Sequence, residues 1–292
     1  MAPQRKLRLG GVRVGYLGPA GTYSEEALRA SAPEGVEEVP YPTIYETVMS
    51  VQEGEVDRAV VPIENALEGA VSVTLDTLAL EAGGVRIVAE VIHPIHHCVV
   101  AARELDLAEV THVVSHPQAT AQCRRFLRER LGGAERFVAA STADAVLSVR
   151  DSAEPAVALG SRLAAELYGC RVLVANVEDH PDNATRFVWL APAGEAGEPA
   201  SGGKTSLVFW GGGDQSPGWL VAALRQFSDR GVNLTRIESR PRRTSLGHYM
   251  FFADLEGGAA DPLVAEALAG LRGQVEELRV LGSYTNASGA PG

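Results

Sequence analysis

The sequence has little cysteine, no excess of positive charge and no long apolar run. Its 292 residues carry 26 Lys and Arg against 37 Asp and Glu, which gives a formal net charge of −11. This balance argues against a surface for nucleic acid or acidic lipid. The three cysteines (Cys98, Cys123 and Cys170) lack the paired spacing of a metal site and indicate a reducing compartment. Since no stretch resembles a signal peptide or a membrane span, we expect a cytoplasmic protein.

Several common kinds of active site are also missing. No Ser-His-Asp or Cys-His pattern is recognisable, and the spacing of Gly15, Gly18 and Gly21 is not that of a dinucleotide-binding loop. The histidines of HPIHHC (93–98) have no further ligands at useful spacing, and His96 and His97 would point to opposite faces of a strand. We therefore expect neither a metal nor an organic cofactor.

A break in composition divides the chain into two parts. Residues 192–203, PAGEAGEPASGG, are rich in Gly, Pro, Ala and Glu and have no periodicity, which is typical of a linker. We predict one domain over residues 10–192, a linker over 193–203 and a second domain over 204–285. Both lengths are normal for domains.

In the first domain, short apolar runs alternate with helical patterns. The runs RVGYL, RAVVPI, HVVSH, RFVAA and AVALG are typical of strands buried on both faces, so we predict an α/β domain with a largely parallel sheet. Residues 85–102 are too long for one strand and contain Pro94, which suggests two strands that cross between lobes. We predict one lobe at about 10–92 with 178–192, where RFVWLA returns to the first sheet, and another at 93–177.

The second domain has a simpler pattern. Its apolar and amphipathic segments follow the order β-α-β-β-α-β, which predicts a ferredoxin-like fold. We expect Pro217 to begin the first helix and Gly231 to follow it. Folds of this kind commonly bind a small molecule or dimerise, and the fold alone does not decide between these roles.

Polar residues stand at three predicted strand-to-helix junctions of the first domain. They are Thr22 and Ser24 in GYLGPAGTYSEEAL, Ser115, His116, Gln118 and Thr120 in VVSHPQATAQC, and Ser141 and Thr142 in AASTADAV. Hydroxyls and N–H groups at helix N-termini bind anions, and α/β domains place ligands at the carboxyl ends of their strands. An ordinary N-cap explains each junction alone, whereas several together favour a shared cleft.

Two further pairs complete the set of candidate residues. Glu64 and Asn65 in VPIENALEG follow a strand, where they either orient a polar substrate or form a capped turn. Thr185 and Arg186 lie between the turn HPDNAT and the strand RFVWLA, where they either begin a buried strand or bring a hydroxyl and a guanidinium together. Such residues suit the binding of an anion with weak acid catalysis better than covalent or redox chemistry.

In their order along the chain, these motifs resemble the prephenate dehydratase family. GYLGPAGTYSEEAL, VPIENALEG, SHPQATAQC, STADAV and NATRF match its catalytic domain, and NLTRIESRP resembles the ACT regulatory domain joined to it. The resemblance covers about residues 12–285. It implies a two-lobed domain resembling type II periplasmic binding proteins, followed by a βαββαβ ACT domain. The implied reaction is the cofactor-free conversion of prephenate to phenylpyruvate, water and carbon dioxide in phenylalanine biosynthesis.

The resemblance also implies roles for residues in the cleft. Thr185 matches the threonine that helps to expel the ring hydroxyl, and the implied catalytic group is completed by Asn65, Glu64 and Gln122. The implied substrate-binding residues are Arg186, Phe187, Thr22, Ser115, Ser141 and Thr142. Prephenate carries two carboxylates, and helix N-termini together with Arg186 would offset the overall negative charge. Ala66 stands where the family usually has Ser or Thr, which removes one possible hydroxyl contact.

For the ACT domain, the resemblance implies phenylalanine as allosteric effector. The implied effector-binding residues are Gly218, Trp219, Leu220, Glu238, Ser239, Arg240 and Pro241. Trp219 replaces the alanine usual in the family and is expected to reshape the pocket. ACT domains of this type usually pair, so a homodimer or homotetramer is implied. An apolar sheet face with Trp210, Phe251 and Phe252 either supports this pairing or belongs to the core.

Three alternatives remain open at this stage. An arogenate dehydratase would differ only in recognising an amino group in place of a keto group. A prephenate decarboxylase that does not form an aromatic product is disfavoured by the intact Thr185-Arg186-Phe187 motif. A non-catalytic binding protein that senses amino acids belongs to a different class and would not need Thr185.

Overall fold

The computed structural model describes residues 11–195, 203–213, 216–244 and 246–285. The strands are β1 (Arg13–Leu17), β2 (Glu37–Tyr41), β3 (Arg58–Asn65), β4 (Gly69–Ala70), β5 (Val85–Pro94), β6 (Cys98–Ala101), β7 (His112–Ser115), β8 (Glu135–Val138), β9 (Ala156–Gly160), β10 (Arg171–Val174), β11 (Ala184–Pro192), β12 (Lys204–Trp210), β13 (Leu234–Pro241), β14 (Tyr249–Glu256) and β15 (Glu277–Tyr284). The α-helices are α1 (Tyr23–Ser31), α2 (Ile44–Gln52), α3 (Ser72–Leu80), α4 (Pro117–Gln122), α5 (Arg124–Arg130), α6 (Thr142–Arg150), α7 (Arg162–Leu167), α8 (Trp219–Ser228) and α9 (Pro262–Arg272). Most of the predicted linker, residues 196–202, lies outside the described residues.

The first lobe is built on the strands β5-β11-β3-β1-β2, in that spatial order. β1 pairs in parallel with β2 and β3, whereas β11 pairs antiparallel with β3 and β5. The sheet is therefore mixed rather than largely parallel, because β11 enters it from the second lobe and runs against its neighbours. The predicted return of RFVWLA to the first sheet is confirmed.

The second lobe has a five-stranded sheet in the order β10-β6-β9-β7-β8. Its strand β8 was expected to be buried on both faces, but all four of its residues are exposed because it forms the edge of the sheet. The single helix expected over QATAQCRRFLRERL is divided into α4 and α5 at Cys123. The predicted crossover is confirmed, because β5 ends in the first sheet at Pro94 and β6 begins the second at Cys98.

The C-terminal domain has the predicted βαββαβ order, with its strands arranged β13-β14-β12-β15. Helix α8 begins at Trp219 rather than at Pro217, because Gly218 is the N-cap and adopts the left-handed backbone conformation (φ 84°). Gly231 follows this helix as expected, with φ 69°. The described helices include none that is long and apolar enough to span a bilayer.

The C-terminal domain is joined to the first lobe through a shared sheet and a shared core. β15 pairs with β5 at Gly282 and Ile87, so the two sheets are continuous. A side chain at Gly282 would collide with the carbonyl oxygen of Ile87, which explains the glycine. Trp210 and Phe252 are buried in a core that also contains lobe residues such as Leu190. These two aromatic residues therefore belong to the core and offer no free face for pairing between chains.

Candidate functional site

A cavity of about 290 Å³ lies between the two lobes. Its apolar wall includes Phe187, Ile44 and Ile95, and its polar wall combines hydroxyl, amide and imidazole groups. The polar lining residues are Thr22, Tyr23, Ser24, Asn65, His97, His116, Gln118, Gln122, Ser141, Thr142 and Thr185. Both lobes contribute to this set, as a ligand-binding cleft requires.

Most of the candidate residues predicted for the cleft meet at this cavity. They are Thr185, Asn65, Gln122, Phe187, Thr22, Ser141 and Thr142. The structure brings together motifs that are up to 163 residues apart, from Thr22 to Thr185, in the sequence. Three other candidates, Arg186, Glu64 and Ser115, do not line the cavity.

Three helices begin beside the cavity, and a lining residue caps each of them. Thr22 Oγ1 accepts a hydrogen bond from Glu25 N (3.4 Å), His116 Nδ1 from Gln118 N (3.2 Å) and Ser141 Oγ from Asp144 N (3.0 Å). The caps satisfy one N–H group each, and further first-turn N–H groups of a helix lack intrahelical partners. Thr22, His116 and Ser141 are thus N-caps and cleft residues at once, whereas Ser115 and Thr120 are not among the described lining residues.

No Lys or Arg side chain is among the described residues that line the cavity. Burial lowers the pKa of His97 and of His116, which favours the neutral imidazoles near neutral pH. The groups at the cavity that favour a negative charge are therefore helix N-termini and amide donors.

Arg186 lies on the other face of β11 from Thr185 and Phe187, because successive side chains of a strand alternate. Its guanidinium donates to Glu90 (2.7 Å), to Asp254 of β14 and to the Tyr284 hydroxyl of β15 (2.7 Å). Burial by itself lowers the pKa of Arg186, but Tyr284, Asp254 and Glu90 outweigh it and hold that pKa above its ordinary value. The expected contribution of Arg186 to the charge of the cleft is thus corrected to an ion-pair cluster between the lobe and the C-terminal domain.

Glu64 and Ser115 are also placed away from the cavity. Glu64 lies near Arg186 (3.5 Å) and Arg236 (3.6 Å), on the same side of the sheet as the ion-pair cluster. Ser115 is buried at the end of β7, where its hydroxyl donates to the carbonyl oxygen of His116 (3.1 Å). Neither residue is among the described residues that line the cavity.

Side-chain amides form a continuous chain of hydrogen bonds along the cavity. Asn65 Nδ2 lies 2.9 Å from Thr185 Oγ1 and 3.0 Å from Asn183 Oδ1. Asn183 Nδ2 lies 3.1 Å from Gln122 Oε1, which is 2.9 Å from His97 Nε2. Tyr23 Oη follows, 2.8 Å from His97 Nδ1.

Sequence reasoning missed the roles of Asn183, His97 and Tyr23. Asn183 begins the motif NATRF, and Tyr23 belongs to the motif GTYSEE, so the motifs contained both residues without assigning them. His97 was considered only as a metal ligand. In the described part of the chain no three His, Cys, Asp or Glu side chains are grouped so that they could hold a metal ion.

A second cavity, of about 230 Å³, lies in the C-terminal domain. Gly218, Trp219 and Leu220 line it as predicted, together with Tyr249 and Phe251. The Trp219 indole donates to the carbonyl oxygen of Gln274 (3.0 Å), and its ring centroid is 5.8 Å from that of Phe251. Trp219 is thus held as a wall of the cavity and leaves the space beside it open.

The remaining predicted effector residues (Glu238, Ser239, Arg240 and Pro241) are in β13 and do not line this cavity. Arg240 instead binds both carboxylate oxygens of Asp76 in α3 (2.6 and 2.8 Å). This bidentate ion pair connects the C-terminal domain to the first lobe.

Comparisons with known proteins identify both parts of the chain. A family model described as prephenate dehydratase matches residues 14–195, and an ACT domain model matches residues 205–273. A prephenate dehydratase of Amycolatopsis methanolica is 39% identical over 278 residues, which are 95% of this chain and 90% of the relative.

Two solved structures are similar over nearly the whole chain. One is a prephenate dehydratase from Arthrobacter aurescens in complex with L-Phe (37% identity, TM-score 0.87, covering 96% of this chain and 92% of that one). The other is GqqA, described as a novel type of quorum quenching acylase (34% identity, TM-score 0.84, covering 94% and 98%).

Proposed function

The chain belongs to the prephenate dehydratase family and has its lyase activity, and we propose that the interlobe cavity is where prephenate is bound and aromatised. The observation that carries this proposal is the meeting of Thr185, Asn65 and Gln122 at one cavity bordered by three helix N-termini. Such a site binds and polarises an anion. It needs no cofactor for a reaction that is driven by aromatisation.

The two carboxylates of prephenate are proposed to bind to uncharged donors. First-turn N–H groups of α1 and α6 border the cavity, and helix N-termini stabilise anions. Gln122 adds a donor, because its buried Nε2 has no hydrogen-bond partner among the described residues. A buried donor without a partner is costly, and a substrate oxygen would satisfy it.

In the proposed chemistry, the C–C bond to the ring carboxylate breaks and its electron pair aromatises the ring. The ring hydroxyl leaves as its C–O bond breaks, and it takes a proton from Thr185 to become water. Asn65 donates to Thr185 Oγ1 and so stabilises the negative charge that develops there. Solvent then returns the proton to Thr185. Prephenate and one proton thus give phenylpyruvate, carbon dioxide and water.

The same cavity offers less support for an acylase. Acyl transfer by a hydroxyl nucleophile requires a base within hydrogen-bond reach. Within the described residues, no Ser or Thr hydroxyl that lines the cavity is hydrogen-bonded to a histidine ring. The aromatising dehydration needs only an oriented donor, which Thr185 provides.

A spectroscopic assay tests the proposed function. Purified full-length protein is incubated with prephenate, with arogenate and with an N-acyl homoserine lactone, and the products are followed by ultraviolet absorbance and chromatography. We expect phenylpyruvate from prephenate at the highest kcat/KM of the three. A non-aromatic product, faster turnover of arogenate or cleavage of the acyl amide would contradict the proposal.

We further propose that phenylalanine regulates the enzyme through the ACT domain. The similar Arthrobacter aurescens enzyme was solved with L-Phe, and this chain has an aromatic-lined cavity next to Gly218 and Trp219. Residues Glu238, Ser239 and Pro241 stay in this proposal as effector residues, together with pairing of ACT domains in a homo-oligomer. A cytoplasmic location is part of the same proposal.

A further inference from the structure

The amide chain of the cleft has a fixed starting point. Asn65 Oδ1 accepts hydrogen bonds from the backbone N–H groups of Leu67 and Glu68, both at 3.0 Å. A backbone N–H can only donate, so the orientation of the Asn65 amide follows from its neighbours. Its Nδ2 must therefore face Thr185 (2.9 Å) and Asn183 (3.0 Å), with the carbonyl oxygen of Ala184 as a third and longer acceptor (3.2 Å). Because Nδ2 can only donate, Thr185 Oγ1 is the acceptor of this pair and keeps its own proton for the cleft.

The orientation of the next two amides follows from the first. Asn183 Oδ1 accepts from Asn65, so Asn183 Nδ2 is the donor to Gln122 Oε1. Gln122 must then present its oxygen to Asn183, and its Nε2 remains as the end without a protein partner. The buried Asn183 thus determines that Gln122 offers a donor, rather than an acceptor, to a molecule in the cavity.

The protonation of His97 is determined by the same chain. Gln122 Oε1 can only accept, so His97 Nε2 carries a hydrogen. Burial lowers the pKa of His97, so the ring holds one proton and its Nδ1 is an acceptor. The Tyr23 hydroxyl lies 2.8 Å from this Nδ1 and 2.9 Å from the carbonyl oxygen of His96. With Nδ1 as an acceptor, the single hydroxyl hydrogen is shared between these two acceptors.

We propose that Asn183 is a positioning residue that sets the direction of this chain, keeping Gln122 Nε2 available to the substrate and His97 in its Nε2–H tautomer. Its catalytic consequence rests on the proposed function, whereas its effect on His97 does not. Asn183 can fill this position because one amide both accepts from Asn65 and donates to Gln122.

The substitution Asn183→Asp reverses the hydrogen bonds from position 183 through Gln122 to His97. It leaves the hydrogen bond between Asn65 and position 183 unchanged. An Asp carboxylate still accepts from Asn65, so Thr185 is unaffected, but it has no hydrogen to give to Gln122. Gln122 must then rotate so that Nε2 donates to position 183 and Oε1 faces the cavity. The second Nε2 hydrogen now points at His97 Nε2, so His97 moves its proton to Nδ1. Tyr23 then donates to the carbonyl oxygen of His96.

The first test measures the His97 tautomer without any substrate. Nitrogen-15 NMR of the histidine rings separates the two neutral tautomers, and the variant His97→Asn assigns the signal. We expect Nε2–H in the wild-type protein and Nδ1–H in Asn183→Asp at neutral pH. The Nδ1–H form in the wild type, or an unchanged tautomer in the folded variant, would overturn the proposal. If the variant does not fold, the wild-type spectrum still tests the proposal, because an Nδ1–H form of His97 there would overturn it.

The second test measures prephenate turnover as a function of pH. At neutral pH we expect kcat/KM of Asn183→Asp to fall about 10- to 100-fold, because an acceptor would face the substrate oxygen. As the pH falls and the new carboxyl is protonated, its O–H donates to Gln122, so the ratio of variant to wild-type activity should rise. The titratable groups near position 183 are His97, Tyr23, Glu178, His96 and the preceding Asp179, His180 and Asp182. Wild type and variant share all of them, so the ratio of the two activities corrects for their titration.

The control is Asn176→Asp, which adds the same charge in the segment before β11 but does not line the cleft. Its left-handed backbone (φ 56°) is one that Asp tolerates. We expect its activity ratio to stay flat with pH. A flat ratio for Asn183→Asp, or an equal rise in the control, would overturn the positioning role while the proposed function stands. Absence of wild-type turnover would overturn the function and leave the tautomer result as an independent test.

Discussion

Thr185 and Arg186 are neighbours in β11, yet Thr185 lies in the cleft and Arg186 pairs with Asp254 in the ACT domain. A single peptide unit of β11 therefore separates the proposed proton donor, Thr185, from the residue that contacts the regulatory domain, Arg186. Because alternate side chains of a strand point to opposite faces, this division of roles follows from the pleat of β11.

Replacement of Arg186 by Met should strongly destabilise the fold. The change removes the cation that Glu90 and Asp254, both nearly fully buried, share; Glu90 keeps Lys204 (2.8 Å), whereas Asp254 keeps the more distant Arg236 (3.9 Å). Removal of one partner from a buried ion pair typically costs about 3–5 kcal/mol of unfolding free energy. Chemical denaturation measures this loss. Arg58→Met is the control, because the partly exposed pair with Glu195 should contribute at most about 1 kcal/mol.

Asp254→Asn should weaken inhibition by phenylalanine more than it weakens catalysis. The change keeps the shape of the side chain but removes the charge that joins β14 to Arg186, whereas Thr185 and its amide partners are untouched. We expect the inhibitory concentration to rise about 5- to 100-fold, within the usual range of coupling free energies. The control is Glu266→Gln, on the solvent-facing side of α9. Unchanged inhibition in Asp254→Asn would exclude the Asp254–Arg186 ion pair as the connection between the effector and the cleft.

Much of the site was predictable from local patterns, but its division between two faces was not. The order of the motifs indicated that Thr185, Asn65 and Gln122 meet, since each lies in a recognisable segment. The resemblance of the Thr185-Arg186-Phe187 motif implied that Arg186 binds substrate, although neighbouring side chains of a strand point to opposite faces. Its partners Glu90, Asp254 and Tyr284 lie in β5, β14 and β15, each roughly 70 to 100 residues away in the sequence, and no local signal reports such contacts.

For the fold as well, local elements were predictable from the sequence and long-range contacts were not. The strands and the βαββαβ pattern were predictable because apolar periodicity is local. The burial of Trp210 and Phe252 against the first lobe was not, because the sequence shows that a face is apolar but not what covers it. The exposed strand β8 was predicted as buried for the same reason, since edge and central strands can share one pattern.

Stability should fall as the pH is lowered from about 7 towards 5. Burial lowers the pKa of His97 and His116 in the folded state, so the unfolded chain binds more protons once the pH drops below the ordinary histidine value of about 6.5. The contribution of these groups is present above that pH and is lost as the pH falls through their folded pKa values. Thermal melts across this range measure the slope. His97→Asn should reduce it, and an unchanged slope in the folded variant would contradict the prediction.

Phenylalanine should bind to the ACT domain despite the unusual Trp219. The indole is anchored to the carbonyl oxygen of Gln274 and leaves a cavity of about 230 Å³ beside it. Isothermal titration should therefore show heat of binding, and Trp219→Ala should weaken the affinity about 2- to 10-fold through lost aromatic contact. Absence of both heat and inhibition in the wild type would refute the effector assignment.

The central claim is that the Thr185 hydroxyl donates the proton on which expulsion of the ring hydroxyl depends. The most direct measurement is kcat for prephenate in Thr185→Ala and Thr185→Ser, with thermal melts to confirm that both variants are folded. We predict that the Ala variant loses about 10²–10⁴-fold in kcat, the usual contribution of positioned acid catalysis, and that the Ser variant keeps most of its turnover. A folded Thr185→Ala protein with near-wild-type kcat would contradict the account.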